Sequence, residues 1–245
     1  MTRRREFLHR TAAFGFTAAL ARAQSQPGSS HALVPPADGK KIPVAFALSE
    51  GAVMIDFAGP WEVFQDVRFP DKPAAFELFT VAETTQPIRA SAGMRITPDY
   101  SFDTAPLPKV IIIPAQRGNA AMLEWIRGKS RTADITASVC TGAFVLAKTG
   151  LLAGKSATTH HGAYQQFATQ FPDVRIVRGA RFVDEGNLAS SGGLSSGIDL
   201  ALHIVERYFG RDVAARTADQ MEYQGLGWTD PGANRKYDVA PKSSR

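Results

Sequence analysis

Short apolar runs typical of buried strands alternate along this 245-residue chain with segments that carry apolar residues at helical spacing. Residues 41–48 and 109–113 form such runs, and residues 195–209 place Ile198 and Leu202 on one face of a helix. β-Branched runs bounded in this way are typical of strands that are covered on both faces. The alternation predicts an α/β fold with a mostly parallel sheet and helices on both sides.

Several local predictions bear on function. Pro60 is suited to the first turn of a helix over residues 60–67, and a second helix is expected over residues 118–126. Residues 88–98 are predicted to form a small hairpin, and residues 156–160 a short strand. Later strands are expected at 174–177 and 181–189, followed by helices at 195–209 and 213–223.

The net charge of +5 arises mostly from the start of the chain. Residues 1–23 contain five arginines and a single acid, Glu6, so the rest of the chain carries about +1. A nucleic-acid-binding domain normally has a basic stripe on its folded part. The sequence shows no such stripe and no zinc-finger or basic-helix pattern. We therefore expect no nucleic-acid partner.

Residues 1–23 also have the order of features found in export signals. Arg4 and Arg5 begin a segment similar to the twin-arginine motif, an apolar run follows at 11–20, and Ala-Arg-Ala at 21–23 suits cleavage. The run is too short for a permanent membrane helix. We expect an exported, periplasmic protein with no stable membrane anchor after signal cleavage.

The rest of the chain divides by composition into three parts. Residues 24–40 are rich in Pro, Gly and Ser and are predicted to be a linker. Residues 41–226 hold the alternating pattern and are predicted to be one folded domain. Residues 227–245 include a polar stretch with Pro, Gly and Lys and are expected to be a loose tail.

Cys140 is the only cysteine in the chain, so no intramolecular disulfide can form. It stands between a strand-like run at 135–139 and a helical segment at 143–148, with almost no spacer. A thiol on such a turn gains from the helix N-terminus, which favours the thiolate, and from backbone N–H groups that bind an oxyanion. We interpret Cys140 as an exposed nucleophile with a lowered pKa. An inert, packed cysteine at the end of a strand is the alternative.

Four separated segments resemble the ThiJ/PfpI superfamily, most closely its isonitrile hydratase branch and the amidase-like domains of AraC-type regulators. They are residues 55–60, 138–143, 150–160 and 191–199. The resemblance covers about residues 41–226 in the same order. It implies a flavodoxin-like, class I glutamine-amidotransferase-like three-layer sandwich, usually a homodimer, with the cysteine on a nucleophile elbow.

The resemblance also assigns roles to residues near the thiol. It makes Cys140 the nucleophile and Asp56 the acid beside it, where a carboxyl shielded from water can have a raised pKa and donate a proton. A loop aspartate that caps a helix at Pro60 is the alternative for Asp56. Thr141 stands where other members carry a histidine, which argues against a Cys-His pair. A helix-capping role for Thr141 is also open.

Four further residues are candidates for contact with substrate or oxyanion. The family usually has Gly-Gly after the strand that ends at residue 114, but this chain has Ala115 and Gln116. Either the loop differs, or Gln116 donates through its side chain. Gly193 lies in the last matched segment. His160 matches the family's Thr-Thr-His and either lines the site or makes a structural hydrogen bond.

No metal site is expected. If residues 158–161 form a strand, the side chains of His160 and His161 point to opposite faces and cannot bind one ion. No second cysteine and no His-x-x-x-His spacing supports zinc.

Two functions follow from these residues. The first is a cofactor-free hydratase or related hydrolase, which converts a small isonitrile to an N-substituted formamide through a Cys140 thioimidate. The second is a non-enzymatic exported module that senses a small ligand or an oxidant through an oxidisable Cys140. A transcription regulator is not expected, because no helix-turn-helix domain follows the matched region.

Overall fold

A computed structural model describes residues 32–37, 39–69 and 74–238. Strands and helices alternate along this part of the chain, as the sequence pattern predicts. The strands are β1 (Ile42–Ala47), β2 (Phe76–Ala82), β3 (Ile88–Arg89), β4 (Arg95–Ile96), β5 (Tyr100–Ser101), β6 (Val110–Ile113), β7 (Ile135–Ser138), β8 (Ser156–Ala157), β9 (Arg175–Ile176), β10 (Phe182–Asp184) and β11 (Leu188–Ser191). The helices are α1 (Met54–Gln65), α2 (Ala120–Lys129), α3 (Gly142–Lys148), α4 (Tyr164–Gln170), α5 (Ser196–Phe209) and α6 (Arg211–Gln220).

The main sheet has the order β10-β11-β7-β6-β1-β2-β5 within the described residues. Every neighbouring pair is parallel except β10 and β11, which form an antiparallel hairpin at one edge. The chain leaves β1 toward β2 on one side and later returns to β6 on the other. Such a reversal of strand order creates a crevice at the carboxyl ends of the strands, where α/β proteins bind ligands.

Helices cover both faces of this sheet. Val44 and Phe46 of β1 point into a core that is closed by α1, α5 and α6. Ala45 and Ala47 point into the opposite core, which α2, α3 and α4 close. Strand residues alternate between the two cores because successive side chains of a strand face opposite ways. The predicted three-layer sandwich with a mostly parallel sheet is confirmed.

The first helix begins earlier than the sequence indicates. Helix α1 starts at Met54, so Pro60 lies inside it and not in its first turn. Proline inside a helix removes one backbone hydrogen bond, but here α1 packs closely on α5. A Cβ at Gly59 would lie 2.9 Å from Ile198 Cγ1, and one at Gly197 would touch Pro60. The contact between α1 and α5 stabilises the additional N-terminal turn of α1, and Asp56 lies in that turn.

The chain beyond Thr158 also differs from the prediction. Strand β8 ends at Ala157 and pairs with β9 in a small separate sheet, and residues 161–163 form a 3₁₀ turn. The strand stops because the Thr158 N–H donates to the Ser190 hydroxyl at 2.8 Å, which draws the chain toward β11. The hairpin of β3 and β4 forms where it was predicted.

The segment after residue 226, expected to be loose, packs on the domain as far as Asp238. Trp228 is buried, and the Arg211 guanidinium lies 5.1 Å from the centre of its ring. The Pro231 carbonyl accepts a hydrogen bond from the Arg181 N–H at 2.6 Å. Burial of a large indole outweighs the polar composition of this segment. Residues 239–245 lie outside the described part.

The predicted signal peptide at 1–23 and much of the predicted linker lie outside the described residues, and the export prediction stays a prediction. In the part of the chain that the structure covers, no helix combines the length and the apolar character that crossing a bilayer requires.

The turn from β7 into α3 depends on Gly142. A Cβ at this position would overlap the backbone carbonyl groups of Ile113 and Pro114 at the end of β6. We predict that Gly142→Ala lowers the free energy of unfolding by about 2–3 kcal/mol, because the backbone must shift. Gly128→Ala is the matched control, since a Cβ there meets no atom within 4 Å. It should be neutral or stabilising by up to about 1 kcal/mol. Urea denaturation measures both, and equal values for the two variants would refute the prediction.

Candidate active site

Cys140 lies on a strained turn between β7 and α3. Its φ angle is 57°, in the left-handed region that residues with a Cβ rarely adopt. Three hydrogen bonds hold it there. The Cys140 N–H donates to the carbonyl groups of Ser191 (3.2 Å) and Gly192 (3.0 Å), and the Thr159 hydroxyl donates to the Cys140 carbonyl at 2.9 Å. Strain supported in this way is common where a side chain must be aimed at a reaction centre.

The thiol is buried, and our expectation of an exposed nucleophile is wrong. Cys140 is only 7% exposed. The turn between β11 and α5, residues 192–195, folds against the elbow, because the Cys140 N–H binds the carbonyl groups at its start. Leu194 in this turn also has a left-handed φ of 52° and points its N–H toward the thiol. The Cys140 side chain is therefore largely shielded from water.

Asp56 is fully buried in the first turn of α1, so it is not an exposed loop aspartate. Its Oδ2 accepts a hydrogen bond from the Ala115 N–H at 3.0 Å, while its Oδ1 has no full hydrogen bond. Burial raises the pKa of Asp56 to about 6, against the lowering effects of the Ala115 N–H and the Cys140 thiol. A buried carboxyl with a pKa near neutrality suits proton transfer.

The thiol pKa is raised and not lowered as we expected. Burial, and then the negative charge of Asp56, raise the pKa of Cys140 to about 11. The N–H groups of Thr141 and Leu194 and the Thr141 hydroxyl lower it, but they do not outweigh burial. Helix α3 has only seven residues, which limits the field at its N-terminus. At neutral pH the site therefore holds a thiol beside a carboxylate.

The donors around the sulfur come from two turns. Thr141 supplies its N–H and its hydroxyl, and its side chain makes no capping hydrogen bond to α3. Leu194 supplies a second N–H. The sequence motif indicates the neighbouring Gly193 but not Leu194, because Leu194 acts through a backbone N–H, which every residue except proline carries. A leucine in a glycine-rich turn before a helix was the available signal.

The Ala115 N–H and the Gln116 side chain are both engaged in hydrogen bonds within the protein. Neither has a positive φ, and the Ala115 N–H is bound to Asp56. The Gln116 side chain accepts from the Ser49 N–H at 2.6 Å and donates to the Ala47 carbonyl at 2.7 Å. The amide of Gln116 thus ties the loop after β1 to the loop after β6, and donation from it to a substrate at Cys140 is excluded in this arrangement.

His160 and Gly193 lie together. A Cβ at Gly193 would overlap the His160 ring, so glycine lets the ring pack on the backbone of that turn. His160 Nδ1 accepts the Gly162 N–H at 3.1 Å. The ring centres of His160 and His161 lie 4.3 Å apart with 32° between the ring planes, so the two side chains do not point to opposite faces as a strand would require. Burial, and then the charge of His161, lower the pKa of His160 and favour its neutral form.

Within the residues that the structure describes, no group of three or more His, Cys, Asp or Glu side chains could hold a metal ion. The groups that face the Cys140 sulfur are a carboxyl, a hydroxyl and backbone N–H donors. This set can move protons and stabilise a developing negative charge.

A sequence profile of the DJ-1/PfpI family matches residues 42–207, more than half of the chain. The chain belongs to the DJ-1/PfpI family. The resemblance drawn from the four sequence segments is confirmed by this match.

Relatives of this DJ-1/PfpI protein differ in what they do. The isonitrile hydratase of Pseudomonas putida is 31% identical over 208 residues, which are 82% of this chain and 86% of the hydratase. The HTH-type transcriptional regulator GbdR of Pseudomonas aeruginosa is 26% identical over 201 residues. That match takes in 79% of this chain but 54% of the regulator, so the chain spans about half the regulator's length.

Solved structures support the fold of this DJ-1/PfpI protein. A ThiJ/PfpI family protein from Pseudomonas syringae has a TM-score of 0.67 at 24% identity and covers 76% of each chain. DJ-1beta of Drosophila melanogaster has a TM-score of 0.66 at 20% identity, covering 76% of this chain and all of its own. At these identities the likeness shows the flavodoxin-like fold of the family and carries no statement about a reaction.

We predict that Asp56→Asn makes the thiol more reactive toward alkylation. Removing the carboxylate removes a charge that raises the pKa of Cys140, so more thiolate is present at pH 8. Alkylation of the single cysteine by iodoacetamide should be faster in the variant at pH 8, and the two rates should converge as the pH approaches 11. Asp103→Asn, at an exposed loop aspartate, should match the wild type. A slower rate in Asp56→Asn would contradict this account.

Asp56 should also make stability depend on pH. Its pKa in the folded protein, about 6, lies above the unfolded value of 3.8. Folding therefore favours the protonated form, and the associated stability is lost as the pH rises from about 4 through 6. Relative to wild type, Asp56→Asn should gain about 2–3 kcal/mol in unfolding free energy between pH 4 and pH 7.5. Urea denaturation at several pH values measures this gain, and parallel curves for the two proteins would disprove it.

Proposed function

We propose that this protein hydrates a small isonitrile to an N-substituted formamide, with Cys140 as nucleophile and Asp56 as proton carrier. The observation that carries the proposal is the burial of a thiol beside a carboxyl whose pKa is raised to about 6. The identity to an isonitrile hydratase over most of both chains supports the choice of substrate. Membership of the DJ-1/PfpI family alone does not support this substrate, since transcription regulators are also related to this chain.

The first step joins the thiol to the terminal carbon of the isonitrile. With a pKa of about 11 the thiol is protonated at neutral pH, so the Asp56 carboxylate accepts its proton as the sulfur attacks. Asp56 then delivers this proton to the same carbon, which yields a thioimidate with one hydrogen on carbon. The Asp56 carboxylate is regenerated, and the addition leaves no new charge in the buried site.

Water completes the reaction. Its oxygen adds to the thioimidate carbon, and a proton passes to nitrogen. Collapse of the adduct breaks the carbon–sulfur bond and releases the formamide. The proton of the new hydroxyl returns to the sulfur through Asp56. The N–H groups of Thr141 and Leu194 and the Thr141 hydroxyl stabilise the leaving thiolate. The thiol, the carboxyl and water supply every atom and proton, so the scheme needs no cofactor.

The burial and the raised pKa of Cys140 do not favour the redox-sensing alternative. An oxidant-sensing cysteine is accessible and has a lowered pKa, because the thiolate is the form that is oxidised. Cys140 is 7% exposed and its pKa is raised. A site with a proton carrier beside a protonated thiol is better suited to addition chemistry than to oxidation. The homodimer implied by the family resemblance stays a prediction.

The proposal predicts turnover of simple alkyl and aryl isonitriles to formamides, followed by chromatography. Cys140→Ala should give no product. Asp56→Asn should lower kcat/KM by about 10²–10⁴-fold, the usual contribution of general acid–base catalysis, although its thiol alkylates faster. Asp103→Asn controls for the loss of a carboxylate and should keep full activity.

Two outcomes would count against a hydratase. One is the absence of formamide from wild type across the whole panel. The other is rapid addition of one or two oxygens to Cys140 by dilute peroxide, detected by intact mass, in a protein that shows no turnover. The second result would favour the redox-sensing alternative.

A further inference from the structure

A cavity of about 670 Å³ lies beside β10, the strand at one edge of the main sheet. Residues of β9, β10 and α5 line it, together with residues of the segment after 226 that packs on the domain. None of the residues that face the Cys140 sulfur is among them. The cavity is therefore separate from the thiol site, and its volume is in the range of sites that bind small molecules.

Part of the cavity wall is apolar and still partly exposed. Val177, Val183 and Pro231 line the cavity and are only half-buried, so each leaves apolar surface that a ligand can cover. Covering such surface contributes roughly 25 cal/mol for each Å² removed from water. The wall therefore favours a ligand that has an apolar body.

Most of the charged groups in this wall are already bonded within the protein. Three of its four acids are engaged: Asp184 by His203, Glu206 by Arg211 and Glu185 by the Ser156 N–H. The fourth acid, Asp238, is exposed. Of the other three arginines that line the cavity, Arg175 donates to the Ser156 hydroxyl. Two arginines of the wall remain without such a partner.

These two arginines, Arg178 and Arg235, form no ion pair with an acid of the described residues. The Arg178 guanidinium lies 5.3 Å from the centre of the Tyr164 ring, and a guanidinium packed by its face presents its N–H groups at the edge. A Cβ at Gly179 would lie 3.2 Å from the carbonyl oxygen of the residue before Arg235, so both side chains start from one part of the wall. Together they exceed the single charge of Asp238. Paired N–H donors of arginine suit a carboxylate.

Arg181 connects the cavity to the turn that carries the thiol. Both of its neighbours in the chain line the cavity, and its N–H donates to the carbonyl of Pro231, another lining residue, at 2.6 Å. The Arg181 carbonyl accepts the Gly192 N–H at 2.9 Å, and the Gly192 carbonyl accepts the Cys140 N–H at 3.0 Å. Two hydrogen bonds thus join the backbone beside the cavity to the strained backbone of Cys140.

We propose that this cavity binds a carboxylate with an apolar body, and that its occupation holds the turn at 192–195 closed against Cys140. Arg178 and Arg235 bind the carboxylate, and the half-buried apolar side chains contact the body. A reagent reaches the buried thiol when this turn moves away, which breaks the bond between Gly192 and Arg181. A ligand that stabilises the segment around Arg181 opposes that movement. The inference goes beyond the proposed hydration, because it concerns access to Cys140 whatever the reaction.

Calorimetry on the full-length protein tests the site with 4-phenylbutyrate and octanoate. Both acids should bind, and 4-phenylbutyrate should bind about tenfold more tightly than its uncharged analogue 4-phenylbutanamide or than acetate, which lacks the apolar body. Arg178→Met and Arg235→Met should each weaken the binding of 4-phenylbutyrate about tenfold. Arg216→Met, at an exposed arginine of α6 outside the cavity, should leave it unchanged. Failure of both acids to bind, or equal binding of acid and amide, overturns the site.

Alkylation of Cys140 by iodoacetamide at pH 8 tests the link to the thiol. Saturating 4-phenylbutyrate should slow alkylation of the wild type about fivefold. At the same concentration it should not slow alkylation of the double variant Arg178→Met, Arg235→Met. Slowing that persists in the double variant would place the ligand at the thiol itself and overturn the site, and binding without slowing overturns the link. Neither readout requires turnover, so a failure of the hydratase proposal leaves both tests valid.

Discussion

The burial of Asp56 against Cys140 is the interaction on which the rest of the site depends. Burial raises the pKa of both groups; the charge of Asp56 raises the pKa of the thiol further, whereas the hydrogen bond from the thiol lowers the pKa of Asp56. This contact lowers the stability of the fold, and it lies at the carboxyl ends of the central strands. Residues that lower stability in order to hold a reactive arrangement are typical of catalytic sites.

The main sheet makes this contact possible through backbone proximity. Helix α1 follows β1, the Ala115 N–H follows β6, and the elbow follows β7, so three parallel strands deliver their ends to one point. Gly142 lets the elbow approach the end of β6 more closely than any residue with a Cβ allows. The same approach leaves the Ala115 N–H able to bind Asp56. Fold and site are therefore linked through a few backbone contacts and not through a separate set of loops.

The sequence predicts the layers, the mostly parallel sheet and the position of Cys140 on a turn, because apolar periodicity and a strand-to-helix junction are local properties. It does not predict that Asp56 lies in a helix, since Pro60 normally marks a helix start and only the contact between Gly59 and Ile198 reveals otherwise. It also predicts a lowered pKa for the Cys140 thiol, whereas the pKa is raised. The helix N-terminus is visible in the sequence, but burial outweighs its effect, and the turn that packs against the elbow, residues 192–195, lies more than fifty positions later.

The pair Ala115 and Gln116 shows how one departure from the family pattern redistributes roles. The Ala115 N–H is bound to Asp56, and the Gln116 side-chain amide ties two loops together. Thr141 and Leu194 are the groups that face the sulfur. Leu194 also lines a neighbouring cavity of about 270 Å³, next to His160. In this protein a single turn after β11 thus supplies both an N–H that faces the sulfur and part of the wall of the neighbouring cavity, so a change in that turn would alter both.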